Sequence, residues 1–208
     1  MFESDEASQK FLKEQKALWT NTHKLADVLP RAGEFDAIFY VGGHGRELPS
    51  ISTSLLFFSQ LCLHDNIHLY QIKSNDPIAM FDLTEDPTSL ALIQTFAAAN
   101  KPVAAVCHGP CVLLNATAPS GVPLISGVGV TGFSNAEEDA VSLSAAMPFM
   151  LETELGRVSG GKYVKAAEPW GEMVVVGKAA GTGSTIITGQ NPGSATGVGK
   201  EILKALGL

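Results

Sequence analysis

A cysteine and a histidine stand side by side at the end of an apolar run, and this pair is where the chain could do chemistry. The run Val103–Val106 is short and partly β-branched, which suits a buried parallel strand. Gly109 then permits a close backbone approach, and Pro110 suits the first turn of a helix. Cys107 and His108 are therefore predicted to lie on a strand–turn–helix connection, like a nucleophile elbow with cysteine in place of serine. Backbone N–H groups and the helix dipole at such a turn favour the thiolate, the nucleophilic form.

Cys107 has a second interpretation, that of a small buried hydrophobic residue. The adjacent His108 and the strand–turn–helix context favour a functional thiol instead. An imidazole is well suited to moving protons at neutral pH. The pair therefore predicts nucleophilic catalysis by a cysteine.

A glycine-rich turn follows the first clear strand of the chain. That strand is predicted over Phe35–Val41, and Gly42-Gly43-His44-Gly45 comes directly after it. Parallel sheets bind ligands at the carboxyl ends of their strands, where such turns present backbone amides. The turn is therefore a candidate ligand site. His44 is open to two interpretations, a site residue or an ordinary polar turn residue.

Composition and charge exclude several classes of protein. The 208 residues are 45% hydrophobic and 17% charged, with 21 glycines, which predicts a single domain over residues 1–208. The formal net charge of −7 argues against nucleic acid and anionic membranes as partners. No apolar run reaches the ~18 residues of a membrane span, and the acidic N-terminus does not resemble a secretory signal. Three cysteines without a CxxC spacing predict a reducing compartment, so we expect a cytoplasmic protein and leave a nuclear pool open.

A metal site is not predicted. Cys62, His64 and His68 come close together in the sequence, but their spacing fits no strong metal motif. We expect neither a metal nor a cofactor.

The order of the predicted elements indicates the fold class. Helices alternate with strands, which predicts an α/β protein with a parallel sheet covered on both faces. The predicted helices are 87–100, 135–143, 148–155 and 194–206; the predicted strands are 35–41, 103–106, 124–125, 128–131, 173–177 and 185–188, the last two as a hairpin or near neighbours. Before residue 35 we expect a short helix over 8–18, a loop with a brief turn over 20–30 and no strand. Within 46–78 the candidates are a helix over 54–63 and a strand over 67–72.

Six motifs, taken together, carry a family resemblance. They lie at 42–45, 80–83 (Met-Phe-Asp-Leu), 105–110, 131–138 (Thr-Gly-Phe-Ser-Asn-Ala-Glu-Glu), 148–152 and 188–194. In order and spacing, over residues 35–45 and 79–208, the chain resembles the DJ-1/PfpI superfamily, and within it the Hsp31-like, glutathione-independent glyoxalases. The resemblance implies a flavodoxin-like sandwich and a homodimer. It also implies conversion of methylglyoxal to lactate without glutathione, often beside chaperone-like binding of unfolded client proteins.

The resemblance assigns roles to particular residues. Cys107 matches the nucleophile and His108 the proton-transfer partner, and Glu138 matches the acidic third member. Gly42, Gly43 and Gly109, with the backbone around the elbow, match the groups that hold an oxyanion and the substrate. Without the resemblance, Glu138 would read as a solvated charge in the first turn of a helix.

The thiolate would add to a 2-oxoaldehyde and give a hemithioacetal. The hemithioacetal would rearrange through an enediol to a thioester, and water would then cleave the thioester and release a hydroxy acid. A carboxylate such as Glu138 would fix the tautomer of the histidine.

Two features depart from the family pattern. Family members begin with a further strand and helix, which carry a glutamate that hydrogen-bonds the nucleophile, and Glu3, Glu6 and Glu14 match no such motif. Without that strand, 35–41 is expected to have an unpaired apolar edge. Residues 46–78 form an insertion, long for a connection within a domain. We hypothesise that residues 46–78 are a translated intron and that the start codon is placed too late; the transcript sequence tests this. If the chain is genuine as given, we expect weak activity and poor solubility.

Three other classes stay open at this stage. A chaperone-like protein would bind clients on exposed apolar surface. A degenerate, inactive paralogue is favoured by the missing first strand. The elbow by itself also allows an amidotransferase or peptidase, although amidotransferases of this fold take their histidine from a distant segment rather than from the residue after the cysteine.

Overall fold

A computed structural model of the chain describes residues 10, 13–14, 22–43, 59–61, 71–73 and 79–208. The helices are α1 (Leu25–Val28), α2 (Pro87–Ala98), α3 (Asn135–Ala140), α4 (Leu151–Val158) and α5 (Ala195–Ala205). The strands are β1 (Thr22–Lys24), β2 (Ile38–Val41), β3 (Ser59–Leu61), β4 (Gln71–Lys73), β5 (Val103–Val106), β6 (Val174–Lys178) and β7 (Thr185–Gly189). Short 3₁₀ helices cover Leu29–Glu34, Gly109–Leu113, Ser144–Ala146 and Pro192–Ser194, and a π-helical turn covers Ala79–Leu83.

A five-stranded sheet organises the fold, in the order β3-β2-β5-β7-β6. The three central strands β2, β5 and β7 are parallel, and β3 and β6 add to the two edges in the antiparallel sense. A separate parallel pair joins β1 to β4. The structure is thus an α/β fold with a mostly parallel sheet, as expected, and it is consistent with a flavodoxin-like arrangement.

The centre of the sheet is buried on both faces. Every residue of β5 is at most 1% exposed, and successive strand residues point to opposite faces, so both faces are covered. Helix α2 starts where predicted, because Asp86 caps it by accepting from the Ser89 N–H at 2.6 Å and Pro87 occupies the first turn. Its apolar residues Leu92, Ile93 and Phe96 are fully buried in the same core as β5.

Several predicted elements agree with the structure within a few residues. These are strand 103–106, helices 87–100 and 194–206, and strands 173–177 and 185–188, which pair with each other in the antiparallel sense. The predicted strand 35–41 is shortened to β2, and the predicted helix 135–143 ends at Ala140. The helix predicted over 148–155 begins only at Leu151 and continues to Val158.

Other predictions are wrong. The expectation of no strand before residue 35 is wrong, because β1 lies there, and the brief turn expected within 20–30 is the single helical turn α1. The segments 124–125 and 128–131 are not strands. Gly127 adopts a φ of +72° between them, and only Val130 forms a bridge, to Tyr163. Their buried apolar residues fill the core from turns, which a short apolar run cannot distinguish from a strand.

The insertion is described in part. β3 lies within it, so the helix predicted over 54–63 is wrong at residues 59–61, and the strand predicted over 67–72 is described only where β4 begins. β3 pairs with β2 through Ile38↔Leu61, Phe39↔Gln60 and Tyr40↔Ser59. The expected unpaired edge of 35–41 is therefore also wrong: a strand from the insertion covers it. In the predicted helix 8–18, residues 10, 13 and 14 are helical and the others lie outside the described residues.

Candidate active site

The carboxyl ends of the three central strands meet at one edge of the sheet. Val41 is in register with Val106, and Val106 with Gly189. Cys107 follows directly, and its N–H donates to the Gly189 carbonyl at 2.9 Å. The elbow therefore lies where parallel sheets present ligand sites.

The turn at Cys107 is sharp. Its φ is +63°, in the left-handed region that few residues other than glycine adopt. The Phe133 N–H donates to the Cys107 carbonyl at 2.9 Å, so hydrogen bonds to β7 and to residue 133 hold the cysteine on two sides. Backbone of this kind persists where the surrounding structure fixes it, and it is common at functional sites.

Two glycines allow the elbow to pack against β2. A Cβ added at Gly109 would lie 2.3 Å from the Tyr40 carbonyl oxygen. A Cβ added at Gly42 would lie 2.2 Å from the His108 nitrogen and 2.3 Å from the Gly109 nitrogen. The close approach expected of Gly109 is thus confirmed, and Gly42 is a second position where no side chain fits.

The glycine-rich turn is only partly described. Gly42 lies against the elbow, but its own N–H donates to the Val106 carbonyl at 3.0 Å. This N–H extends the sheet and cannot serve an oxyanion, which corrects that part of the expectation for Gly42. Gly43 is buried directly after it, and His44 and Gly45 lie outside the described residues.

Cys107, His108 and Glu138 form a hydrogen-bonded line. Sγ of Cys107 lies 3.5 Å from Nδ1 of His108, and Nε2 of His108 lies 2.7 Å from Oε2 of Glu138. His108 is fully buried and Glu138 is 4% exposed, so Glu138 is not a solvated helix charge. A carboxylate only accepts, so the ring hydrogen is on Nε2 and Nδ1, which faces the sulfur, can accept the thiol proton.

The thiol of Cys107 is protonated at neutral pH. Burial raises its pKa from the ordinary 9.0 to about 12; the His108 N–H acts in the opposite direction, and the charges of Glu137 and Glu138 add to the rise. The expectation of a thiolate favoured by the turn is therefore wrong. Desolvation of the buried thiol outweighs the hydrogen bond from the His108 backbone. Among the described residues, no carboxylate hydrogen-bonds the sulfur.

A second buried carboxylate lies beside Glu138. Glu137 is fully buried. One of its oxygens accepts from the Ser134 N–H and hydroxyl, both at 2.8 Å. The other accepts from the Trp170 N–H at 2.9 Å, from Gln190 Nε2 at 3.0 Å and from Asn191 Nδ2 at 2.8 Å. Burial raises the pKa of Glu137, but these hydrogen bonds outweigh it and leave the pKa below its ordinary value.

Sequence reasoning missed Glu137, although a signal for it exists. Ser134-Asn-Ala-Glu137 is a capping box, and the structure contains both of its reciprocal hydrogen bonds. The remaining three donors come from 170–191, which no local pattern connects to it.

No metal site or membrane span is found in the described part of the chain. There, no group of three or more His, Cys, Asp and Glu side chains could hold a metal ion. Cys62, His64 and His68 lie outside the described residues. The helices described are too short or too polar to cross a bilayer.

Fold and site together define an α/β protein with a cysteine on a strand–turn–helix elbow. The thiol contacts a histidine ring, and that ring is hydrogen-bonded to a glutamate. No family model matches the chain. It is 32% identical over 107 residues to glyoxalase 3 of Candida albicans, across 50% of this chain and 43% of the relative. It is likewise 32% identical over 108 residues to the glutathione-independent glyoxalase HSP31 of Saccharomyces cerevisiae, across 50% of this chain and 43% of the relative. The chain thus matches less than half the length of these curated relatives.

A solved structure extends the likeness to almost the whole chain. The Rapid Encystment Protein of 24 kDa from Francisella tularensis is 30% identical, with a TM-score of 0.68, across 96% of this chain and 70% of that one. The chain is thus similar in sequence to Hsp31-like, glutathione-independent glyoxalases, as its motifs predict.

Proposed function

We propose that this protein converts 2-oxoaldehydes such as methylglyoxal into 2-hydroxy acids such as lactate, without glutathione, as part of carbonyl-stress defence. The observation that carries the proposal is the line from Cys107 Sγ through the His108 ring to Glu138, with distances of 3.5 and 2.7 Å. The relatives named glyoxalases support the same reaction class. No cofactor is required, because a thiol, an acid–base pair and water suffice for the chemistry.

The first step forms a carbon–sulfur bond. Nδ1 of His108 takes the thiol proton as Cys107 Sγ adds to the aldehyde carbon, and the carbonyl oxygen becomes the hydroxyl of a hemithioacetal. Glu138 accepts from Nε2 throughout, which fixes the ring and stabilises the imidazolium. We propose that the buried N–H groups of Gly43 and Gly109 hold the oxygen of this intermediate.

The next steps move hydrogen from C1 to C2. A base removes the C1 proton to give an enediol, and a proton returned to C2 leaves a thioester of the 2-hydroxy acid. Water then cleaves the thioester, which releases the acid and regenerates the thiol. The sum is one 2-oxoaldehyde and one water to one 2-hydroxy acid, with no external oxidant or reductant.

The direct test supplies methylglyoxal to the purified chain with glutathione omitted and measures both lactate enantiomers enzymatically. The proposal predicts lactate in stoichiometric yield with the methylglyoxal consumed. Disappearance of methylglyoxal without lactate, as simple adduct formation would give, contradicts it. Sedimentation equilibrium on the same sample tests the homodimer that we also propose.

A second candidate is a weakly active or inactive relative, and the environment of Cys107 favours it. The thiol is protonated, and no described carboxylate contacts it. A protein of this kind could still bind unfolded clients. Cys107→Ala separates the two activities: it should abolish lactate formation and leave suppression of client aggregation unchanged.

A further inference from the structure

An aromatic stack runs from the catalytic histidine to the surface. The His108 ring lies 4.4 Å from the Phe133 ring, centroid to centroid, at 35°. The Phe133 ring in turn lies 5.6 Å from the Trp170 ring, edge-on at 71°. His108 is fully buried, Phe133 is 3% exposed and Trp170 is 37% exposed. Trp170 is therefore the member of the stack that faces solvent.

The backbone holds Trp170 in an unusual conformation. Its φ is +67°, in the left-handed region, where a bulky residue is rare. Such a conformation persists only where surrounding contacts fix it. Here the Trp170 N–H donates to the buried Glu137 carboxylate at 2.9 Å. An exposed indole held in this way is placed by the fold and is not a loose surface side chain.

The whole loop around Trp170 is held to the same carboxylate. The Gln190 Oε1 accepts from the Ala166 N–H at 2.8 Å, and Asn191 Nδ2 donates to the Gly171 carbonyl at 2.7 Å. Both amide side chains also donate to Glu137, at 3.0 and 2.8 Å. Glu137 is thus bonded to the loop directly at residue 170, and through Gln190 and Asn191 at residues 166 and 171.

Glu137 precedes Glu138, the residue that bonds the catalytic imidazole. Both belong to α3, which the Ser134 hydroxyl caps by accepting from the Glu137 N–H at 3.2 Å. Phe133, one residue before the cap, donates its N–H to the Cys107 carbonyl. One short segment therefore positions the nucleophile, the histidine partner and the Trp170 loop together.

We propose that Trp170 is a specificity-determining residue, forming with Phe133 an aromatic wall beside His108 that favours 2-oxoaldehydes with a flat apolar substituent. This inference rests on the proposed function. A planar group such as phenyl can stack on or meet the edge of the indole, whereas the methyl group of methylglyoxal offers little surface to it. Glu137 is a positioning residue that acts through Trp170.

The test compares kcat/KM for phenylglyoxal and for methylglyoxal. Trp170→Ala should lower the ratio of the two values about fivefold, chiefly through the KM for phenylglyoxal. Trp170→Phe should retain most of the ratio, because a ring remains. Leu203→Ala on α5 is the matched control: Leu203 is also 37% exposed, and its removal should leave the ratio unchanged. A ratio in Trp170→Ala within twofold of the wild type overturns the proposal.

A double variant tests the part played by Glu137. Both carboxylate oxygens of Glu137 accept hydrogen bonds, one from Ser134 and the other from residues 170–191. In Glu137→Gln, the NH₂ group replaces one of these oxygens and faces hydrogen-bond donors in either orientation, so the bonds on that side are lost. The ratio should fall as in Trp170→Ala, and the double variant should show no further fall. Equal losses for both substrates, with the ratio preserved, would indicate a merely structural role and contradict the proposal.

A labelling experiment separates this inference from the proposed function. Iodoacetanilide and iodoacetamide alkylate the same Cys107 thiol, but only iodoacetanilide carries a phenyl ring. The ratio of their rates, followed by peptide mass spectrometry, should fall in Trp170→Ala and be retained in Trp170→Phe. If the wild type forms no lactate but this ratio falls, the reaction proposed is wrong and the aromatic wall stands. If the ratio is unchanged, the wall is refuted whatever the turnover.

Discussion

The protonation state of Cys107 leads to a quantitative prediction about its reactivity. The perturbation is pH, and the observable is the rate at which iodoacetamide alkylates this thiol. Because burial raises the pKa from 9.0 to about 12, the thiolate fraction near pH 8 is about a thousandfold lower than for an ordinary cysteine. A thiolate of higher pKa is more nucleophilic, which recovers about 20-fold. Cys107 should therefore react about 50-fold more slowly than a free thiol.

The pH dependence distinguishes this account from an activated thiol. The rate should rise about tenfold for each pH unit between about pH 7.5 and 10, without a plateau. The assay is timed alkylation, acid quench and mass spectrometry of the peptide that contains Cys107, with a free-cysteine peptide as the reference. A plateau below about pH 9 would show a thiolate stabilised by its surroundings and refute the reasoning.

Three further predictions concern the site and its support. Glu138→Gln should lower kcat about 10²-fold or more, because the amide no longer fixes the imidazole tautomer; an unchanged kcat contradicts the assigned role. Gly42→Ala should lower the free energy of unfolding in urea by about 1–3 kcal/mol, because its Cβ would meet backbone atoms of the elbow. Gly199→Ala, where a Cβ meets open space, should raise it by roughly 0.5–1 kcal/mol. Equal effects of the two substitutions would refute this packing. The free energy of unfolding should be constant below pH 9.0 and fall above it, because the thiols of Cys107 and Cys111 ionise in the unfolded chain while the buried thiols, with pKa values of about 12, do not. One pH unit above 9.0, each thiol should have lowered the free energy of unfolding by about 1.4 kcal/mol. Cys111→Ala should remove its share of this pH dependence, which urea unfolding at several pH values measures.

Local patterns predicted the centre of the fold. Val103–Val106 ends at a glycine and a proline, and the turn chemistry alone places Cys107 and His108 on the connection. The position of Glu138 against the imidazole came from the family resemblance, since its local sequence equally suits a solvated helix start. In the structure, Glu138 is hydrogen-bonded to the His108 ring, whereas Glu137, one residue earlier, accepts from the Trp170 N–H.

Features that depend on distant segments were not predictable in the same way. β1 is three residues long and is stabilised by pairing with β4, whose residues lie 49 positions further along the chain than their partners in β1. Three residues are too few to show the alternation of apolar and polar side chains by which a strand is predicted. The covering of the β2 edge by β3 likewise arises from pairing across the insertion. The raised pKa of Cys107 has the same origin, because desolvation depends on how many groups from elsewhere surround the sulfur.

The single domain proposed for residues 1–208 and the hypothesis about residues 46–78 stay predictions. Transcript sequencing tests the hypothesis: a message that carries codons 46–78 in frame and starts at Met1 would contradict it. A soluble, cooperatively melting protein from the same chain would contradict the expected poor solubility.

We propose that Cys107 carries the reaction, and a pair of substitutions tests this role. Lactate formation from methylglyoxal, without glutathione, is measured for the wild type, Cys107→Ser and Cys111→Ser. Cys111 is the matched control, since it is also a buried cysteine outside any disulfide, four residues further along the same turn and 3₁₀ helix. We expect Cys107→Ser to form no lactate above the uncatalysed rate and Cys111→Ser to remain active. Lactate formation by Cys107→Ser at the wild-type rate would contradict this role.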